Sequence, residues 1–161
     1  YSKKGFLMIR IALPRTSEEW DMGRDLLLEY ANSRNFDCAM GNVEEEAAQL
    51  HLRYAPQKGV FLLAQKENLP VGCVAFRPFA EGVCEMKRLY VRPGFRGLNL
   101  GKQLVEAIIE KSREVGYHKL LLDTLPDMHA AIHLYKQFGF GRIAAYNNNP
   151  AAGVQHFELK L

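Results

Sequence analysis

The sequence predicts an α/β fold of the α+β kind: a mixed, mostly antiparallel twisted sheet with a central β-α-β unit and helices on both faces. Three observations predict it. Two strand-like runs, 59–66 and 71–78, are parted only by Glu67-Asn68-Leu69-Pro70, which makes a hairpin. A further strand-like run, 83–91, is followed by a long segment of helical periodicity and then by the apolar run Leu120-Leu121-Leu122. Strands separated by a helix are placed to pair in parallel, and an all-apolar run fits a strand buried on both faces.

Taken in order, Phe6 to Leu13 reads as a strand that stops at Pro14. Ser17 before Glu18 and Glu19 is a capping residue with an acidic first turn, opening a helix to about Asn32 that carries Trp20, Leu27, Leu28 and Tyr30. A second helix runs from about Val43 to Arg53, and Glu44, Glu45 and Glu46 in its first turn complement the helix dipole without requiring a functional role. After the hairpin and the 83–91 strand, Leu104, Val105, Ile108 and Ile109 recur at helical spacing through about Val115, with Gly116 as the stop. Leu125-Pro126-Asp127 opens a further helix bearing Ala131, Leu134, Tyr135 and Phe138, and strands near 140–146 and 154–161 complete the chain. The order is β-α-α-β-β-β-α-β-α-β-β. No repeat, low-complexity tract or linker interrupts it, so residues 1–161 read as one domain.

Composition narrows the function. A formal charge of +3 over 161 residues is too small for a nucleic-acid footprint. No apolar run approaches the ~20 residues that span a bilayer. Cys38, Cys73 and Cys84 are odd in number and form no CxxC pair, which argues against a disulfide framework or a zinc site and fits free thiols in a reducing compartment. The opening Tyr1-Ser2-Lys3-Lys4 carries neither an initiator methionine nor a signal-peptide apolar stretch. The free thiols suggest a cytoplasmic location, and charge and hydropathy lead us to expect no nucleic-acid and no membrane partner.

Basic residues do gather locally: Lys87, Arg88, Arg92, Arg96 and Lys102 fall within sixteen positions, beside the turn Arg92-Pro93-Gly94-Phe95-Arg96-Gly97-Leu98-Asn99-Leu100-Gly101-Lys102. That turn joins a strand to an amphipathic helix. The first N–H groups of such a helix lack intrahelical acceptors, and the dipole adds roughly half a positive charge. A phosphate satisfies both. Gly97 and Gly101 allow close approach, and Arg96 can add a charge-assisted contact. Glycines that merely tighten the turn would look similar taken alone; here strand, turn, basic residues and helix coincide. The spacing fits neither GxGxxG nor GxxxxGK[ST].

These residues resemble the GNAT superfamily of N-acetyltransferases. The family's loop, Gln/Arg-x-x-Gly-x-Gly/Ala, corresponds to Arg96, Asn99 and Gly101, with Asn99 at the family's first glycine. Asn tolerates the left-handed region better than most residues. The resemblance extends through Met86-Lys87-Arg88-Leu89-Tyr90-Val91 and Ala131-Ile132-His133-Leu134-Tyr135-Lys136-Gln137-Phe138-Gly139-Phe140, and covers about residues 70–146. It implies acetyl-coenzyme A as co-substrate, with no metal. Pantetheine amides would pair with the backbone of Leu89, Tyr90 and Val91, and the pyrophosphate would sit on the amides from about Phe95 to Lys102, hence Arg96, Gly97, Leu98, Asn99, Leu100, Gly101 and Lys102. The strands flanking the intervening helix would splay.

For the chemistry, an amine with a pKa near 10.4 benefits from a positioned base. Glu85 is the candidate, four residues before Leu89. Strand alternation puts Glu85, Lys87 and Leu89 on one face unless a bulge intervenes; a surface carboxylate paired with Lys87 or Arg10 is the competing reading. Tyr135 matches the GNAT tyrosine near the cofactor sulfur, as donor to the thiolate; otherwise it is a half-buried aromatic. Met128 stands where many members carry an asparagine. His129 and His133 have metal-ligand spacing but no third ligand. Asp123-Thr124 lies near the expected cleft, although helix capping by Thr124 or Asp127 explains it equally. Phe36, Met40, Phe79 and Tyr146, with 33–42 and Asn147-Asn148-Asn149-Pro150, are candidates to shape the acceptor site. The expected acceptor is a primary amine of a small molecule or peptide, attacking directly in a ternary complex. The alternative is a non-catalytic acyl-coenzyme A sensor or scaffold. Family members often dimerise, and no residue here specifies a homodimer.

Overall fold

The computed structural model describes residues 8–34, 42–55 and 59–161. In chain order the elements are β1 (Ile9–Ala12), α1 (Ser17–Arg34), α2 (Val43–Ala48), α3 (Leu50–Arg53), β2 (Val60–Lys66), β3 (Leu69–Ala80), β4 (Val83–Val91), α4 (Leu100–Val115), β5 (Lys119–Thr124), α5 (His129–Gln137), β6 (Gly141–Ile143) and β7 (Gln155–Lys160). The strands form one sheet in the order β1-β2-β3-β4-β5-β7-β6. Every pairing is antiparallel except β4 with β5. The mixed sheet and the parallel β-α-β unit are as the sequence predicts.

Helices cover both faces. On one, Leu104, Val105 and Ile108 of α4 bury against Val74, Phe76, Leu120 and Leu122. On the other, Leu26 and Leu27 of α1 and Leu50 of α3 bury against Phe61, Leu63 and Ala75. Each of the large apolar side chains contributes roughly 1.5–3 kcal/mol by leaving water. The second layer stops at β4, and the same face of β5 and β7 carries Asp123 and His156 instead.

Several boundaries differ from expectation for local reasons. The cap of α1 is Thr16 rather than Ser17: its Oγ1 accepts from the Glu19 N–H at 3.1 Å. The expected 43–53 helix is two pieces, broken at Gln49, and Asn42 Oδ1 caps the first by accepting from Glu45 N–H. The β2–β3 turn is only Glu67-Asn68, both at positive φ (50° and 63°), the geometry that matches strand twist in a two-residue hairpin. Leu125 to Met128 closes as a turn, with Met128 N–H donating to Leu125 O at 3.1 Å, so α5 starts later than expected. Gly116 ends α4 at φ 104°, as read from the sequence.

The decisive irregularity lies in β4. The register pairs Ala75 with Lys87 but Cys73 with Tyr90, so Arg88 and Leu89 together oppose Val74. This is a β-bulge, and Arg88 carries φ 64°. One extra residue inverts every later side chain. Cys84, Met86, Leu89 and Val91 therefore pack towards α4, whereas Tyr90 joins the α1 layer and Arg88 reaches α2. The expectation that Glu85, Lys87 and Leu89 share a face is overturned by the bulge.

Candidate active site

The sheet opens at Glu85. β4 pairs with β5 only at Val83–Lys119, Cys84–Leu120 and Glu85–Leu121. Beyond that vertex Met86–Val91 pairs only with β3, while Leu122–Thr124 pairs only with β7. Two strand edges thus diverge, and the edge of β4 offers peptide groups to an extended ligand as an added strand would.

Helices opposite the opening hold that edge in place of a ladder. Glu46 of α2, 3% exposed, accepts from Arg88 Nε at 2.8 Å and Nη2 at 3.3 Å. Tyr54 donates its hydroxyl to the same carboxylate at 3.3 Å. Glu29 of α1 accepts from Tyr90 Oη at 3.1 Å and from Arg92 Nε at 2.8 Å. Tyr30 stacks on Tyr90 with centroids 5.0 Å apart. Glu46 thus braces β4 as well as standing in the acidic first turn of α2.

The strand leads into a 3-10 turn at Pro93–Phe95 and then into α4. Gly97 has φ 83°, and Asn99, at φ 60°, takes the left-handed conformation expected of it. The N–H groups of Phe95 and Arg96 are spent on Arg92 O and Pro93 O, so they drop out of the expected 95–102 cradle. Those of Gly97 to Lys102 make no backbone hydrogen bond among the described residues. Six consecutive donors without backbone acceptors at a helix N-terminus are the kind of arrangement that can accept an anion. A Cβ added at Gly97 would meet no protein atom within 4 Å, and one at Gly101 only Leu134 Cδ2 at 3.7 Å, so neither glycine relieves a crowded contact within the protein. Arg96 is exposed, and its Nε donates to Val91 O at 3.1 Å.

Tyr135 of α5 is 5% exposed, packed against Phe140. Its hydroxyl makes no hydrogen bond among the described residues, and burial pushes its pKa up, with the neighbouring Tyr30 and Asp123 adding to the shift. It is a protonated donor at neutral pH.

Glu85 does pair with Lys87, as the competing reading has it, but it is 1% exposed rather than a surface carboxylate, and Arg10 pairs elsewhere, with Glu19. Its Oε1 accepts from Arg77 Nε at 3.0 Å and lies 3.7 Å from Lys87 Nζ; its Oε2 accepts from the Tyr146 hydroxyl at 2.7 Å. Tyr146 is thus a polar partner as well as an aromatic wall, standing edge-on to Phe79 and His156. Beside it, Asp123 Oδ2 accepts from Asn147 Nδ2 at 2.7 Å and Asn149 Nδ2 at 3.2 Å. Burial alone would raise the Asp123 pKa; those amides and the charge of Lys87 outweigh it and hold the carboxyl below the usual range. The 147–150 loop was expected to shape the acceptor site, but its pairing with Asp123 carried no signal beyond the run of asparagines. Phe36, Met40 and Cys38 lie outside the described residues.

Thr124 donates to Met128 Sδ at 3.5 Å instead of capping a helix. His129 and His133 are exposed, and the described residues contain no cluster of metal-ligating side chains. Cys73 and Cys84 are buried thiols whose pKa burial raises to about 12 and about 11, far from a nucleophilic thiolate. No described helix is long and apolar enough to cross a membrane.

Comparison with known proteins is consistent with this geometry. The family model described as Acetyltransferase (GNAT) family matches residues 20–140. An uncharacterized N-acetyltransferase of Schizosaccharomyces pombe is 40% identical over 153 residues, covering 94% of this chain and 92% of its own. Among solved structures, an acetyltransferase from Streptococcus agalactiae superposes with a TM-score of 0.80 at 20% identity, covering 97% of this chain and 100% of that one. The PaiA N-acetyltransferase of Thermoplasma acidophilum, in complex with coenzyme A, superposes with a TM-score of 0.71 at 15% identity, covering 96% and 99%.

Proposed function

Since the chain belongs to the GNAT family of acetyltransferases, we propose that it transfers the acetyl group of acetyl-coenzyme A to a primary amine of a small molecule or peptide, by direct attack in a ternary complex. The observation that carries this reading is the juxtaposition of an opened β4–β5 ladder at Glu85 with six amides at Gly97–Lys102 that make no backbone hydrogen bond among the described residues.

The amides and the helix dipole hold the pyrophosphate, and Arg96 and Lys102 add charge at the mouth of the cradle. The edge at Leu89, Tyr90 and Val91 pairs with the pantetheine amides, which aims the thioester at the vertex. Confinement there supplies most of the advantage, because amine and thioester meet in one orientation. Tyr135 protonates the departing thiolate. Burial keeps its hydroxyl neutral until that charge develops. Glu85 is the terminal proton acceptor on the amine side. Thiols with raised pKa values disfavour an acetyl-enzyme intermediate.

The test is thiol release from acetyl-coenzyme A across an amine panel, alongside calorimetry of coenzyme A binding. Tyr135→Phe is expected to lower kcat about 100-fold while leaving coenzyme A affinity within about twofold. An unchanged kcat would remove Tyr135 from the mechanism. Binding of coenzyme A with no amine acetylated would favour the sensor reading, and no binding would discard both.

A further inference from the structure

Glu85 stands where a base is wanted and yet is closed off from any substrate. It is 1% exposed, with Arg77 and Lys87 against one oxygen and the Tyr146 hydroxyl against the other. Tyr146 is only half-buried, reaching from the chain after β6 to the last β4 residue that pairs with β5. We propose that Tyr146 is a catalytic residue, the outer member of a Tyr146–Glu85 relay through which the acceptor amine gives up its proton. This deepens the acetyl-transfer reading above and rests on it.

The direction of the hydrogen bond is what makes a relay. Glu85 has no proton to give when ionised, so Tyr146 donates inwards across 2.7 Å. The lone pairs of its Oη remain to accept an amine N–H from the open side. A phenol alone is a feeble base; one already bonded to a carboxylate passes the incoming proton's charge on as it receives it. Burial and the negative Glu85 both push the Tyr146 pKa up, so the hydroxyl stays protonated and poised as this donor. The ring is set edge-on to Phe79 at 5.2 Å and to His156 at 4.9 Å, which fixes where Oη lies. The charged and titratable groups facing the pair are Arg77 of β3, Lys87 of β4, Asp123 of β5 and His156 of β7.

The neutral amine nitrogen forms a bond to the thioester carbonyl carbon, and the carbonyl π pair moves to oxygen. The N–H proton passes to Tyr146 Oη while the tyrosine proton passes to Glu85 Oε2. Collapse restores the carbonyl, breaks the C–S bond, and the thiolate takes the Tyr135 proton. Glu85 then releases one proton to water and Tyr135 regains one.

A structural account is simpler: the tyrosine only satisfies a buried carboxylate. Tyr146→Phe separates the two, because it keeps both ring contacts and leaves Glu85 its two cations. The relay expects kcat to fall about 100-fold, with KM for acetyl-coenzyme A within about twofold. Glu85→Gln should fall comparably, and the double variant should be no slower than the slower single, since both remove one path. Dependence of kcat on deuterium content should be curved for the wild-type chain, with two protons in flight, and straight for Tyr146→Phe. A kcat within about threefold of wild type in Tyr146→Phe, or losses that multiply in the double variant, would overturn the relay while an active wild-type chain keeps the acetyl-transfer reading. A wild-type chain that acetylates no amine would instead remove that reading and the relay together.

Discussion

The two halves of the site are built in opposite ways. The half proposed to hold the cofactor is consecutive backbone: a bulged strand edge, a 3-10 turn and the first turn of α4, all within residues 88–102. The half proposed to meet the acceptor is side chains drawn from far apart, with Glu85 bonded to Tyr146 and Asp123 to Asn147 and Asn149. Backbone donors suit a constant ligand, because peptide geometry changes little with sequence. Side chains suit a ligand that differs between relatives, because each can be exchanged without disturbing the fold.

Glu46→Ala breaks the backbone half from behind and should have the largest effect. Both partners of the Arg88–Glu46 pair are nearly inaccessible, with side-chain exposures of 9% and 5%. Removing one partner of such a pair costs about 3–5 kcal/mol. The bulge it anchors sits at a positive φ that a non-glycine residue adopts only when held. Expected outcomes are a large fall in unfolding free energy by denaturant titration and faster amide exchange at Leu89–Val91. Loss of stability with unaltered exchange there would mean that the pair braces α2 rather than the strand edge.

That contrast also explains what was legible. The parallel β-α-β unit, the hairpin and the strand-turn-helix junction before α4 are local patterns, legible because a short stretch of sequence fixes a turn or a period. Asn99 was readable as a left-handed residue for the same reason. The bulge was not, because Arg88 has no turn-forming chemistry: a distant glutamate holds it, and only tertiary packing brings the two together. The Tyr146–Glu85 bond spans 61 positions, and no periodicity connects them. Glu85 and Tyr135 stand at positions that resemblance alone picks out, and the sequence carries no sign of their surroundings.

Asn99→Val probes the cradle directly and should rank next. A β-branched residue at φ 60° costs about 1–2 kcal/mol, and relaxing it would rotate the amides of Leu100 and Gly101. Coenzyme A affinity measured by calorimetry is expected to weaken about tenfold, whereas Asn99→Gly should leave it near wild type. Equal affinities in the two variants would show that the left-handed cap does not set the cradle.

Asp123→Asn tests the other half and should have the smallest effect, about 1 kcal/mol, because asparagine can still accept from Asn147 and only the charge is lost. Its pH dependence is the informative part. Burial alone would raise the Asp123 pKa, but the Asn147 and Asn149 amides with Lys87 and His156 hold it below its unfolded value. The unfolded chain therefore binds the proton more readily, and stability from this carboxylate is complete above the unfolded pKa and lost as pH falls through the folded one. The gap in unfolding free energy between wild type and Asp123→Asn should be widest near neutral pH and close below about pH 4. A gap that stays constant through that range would mean that the amides recognise the oxygen and not its charge. The backbone cradle has no proton to lose, so Asn99→Val should show no such closing gap over the same range.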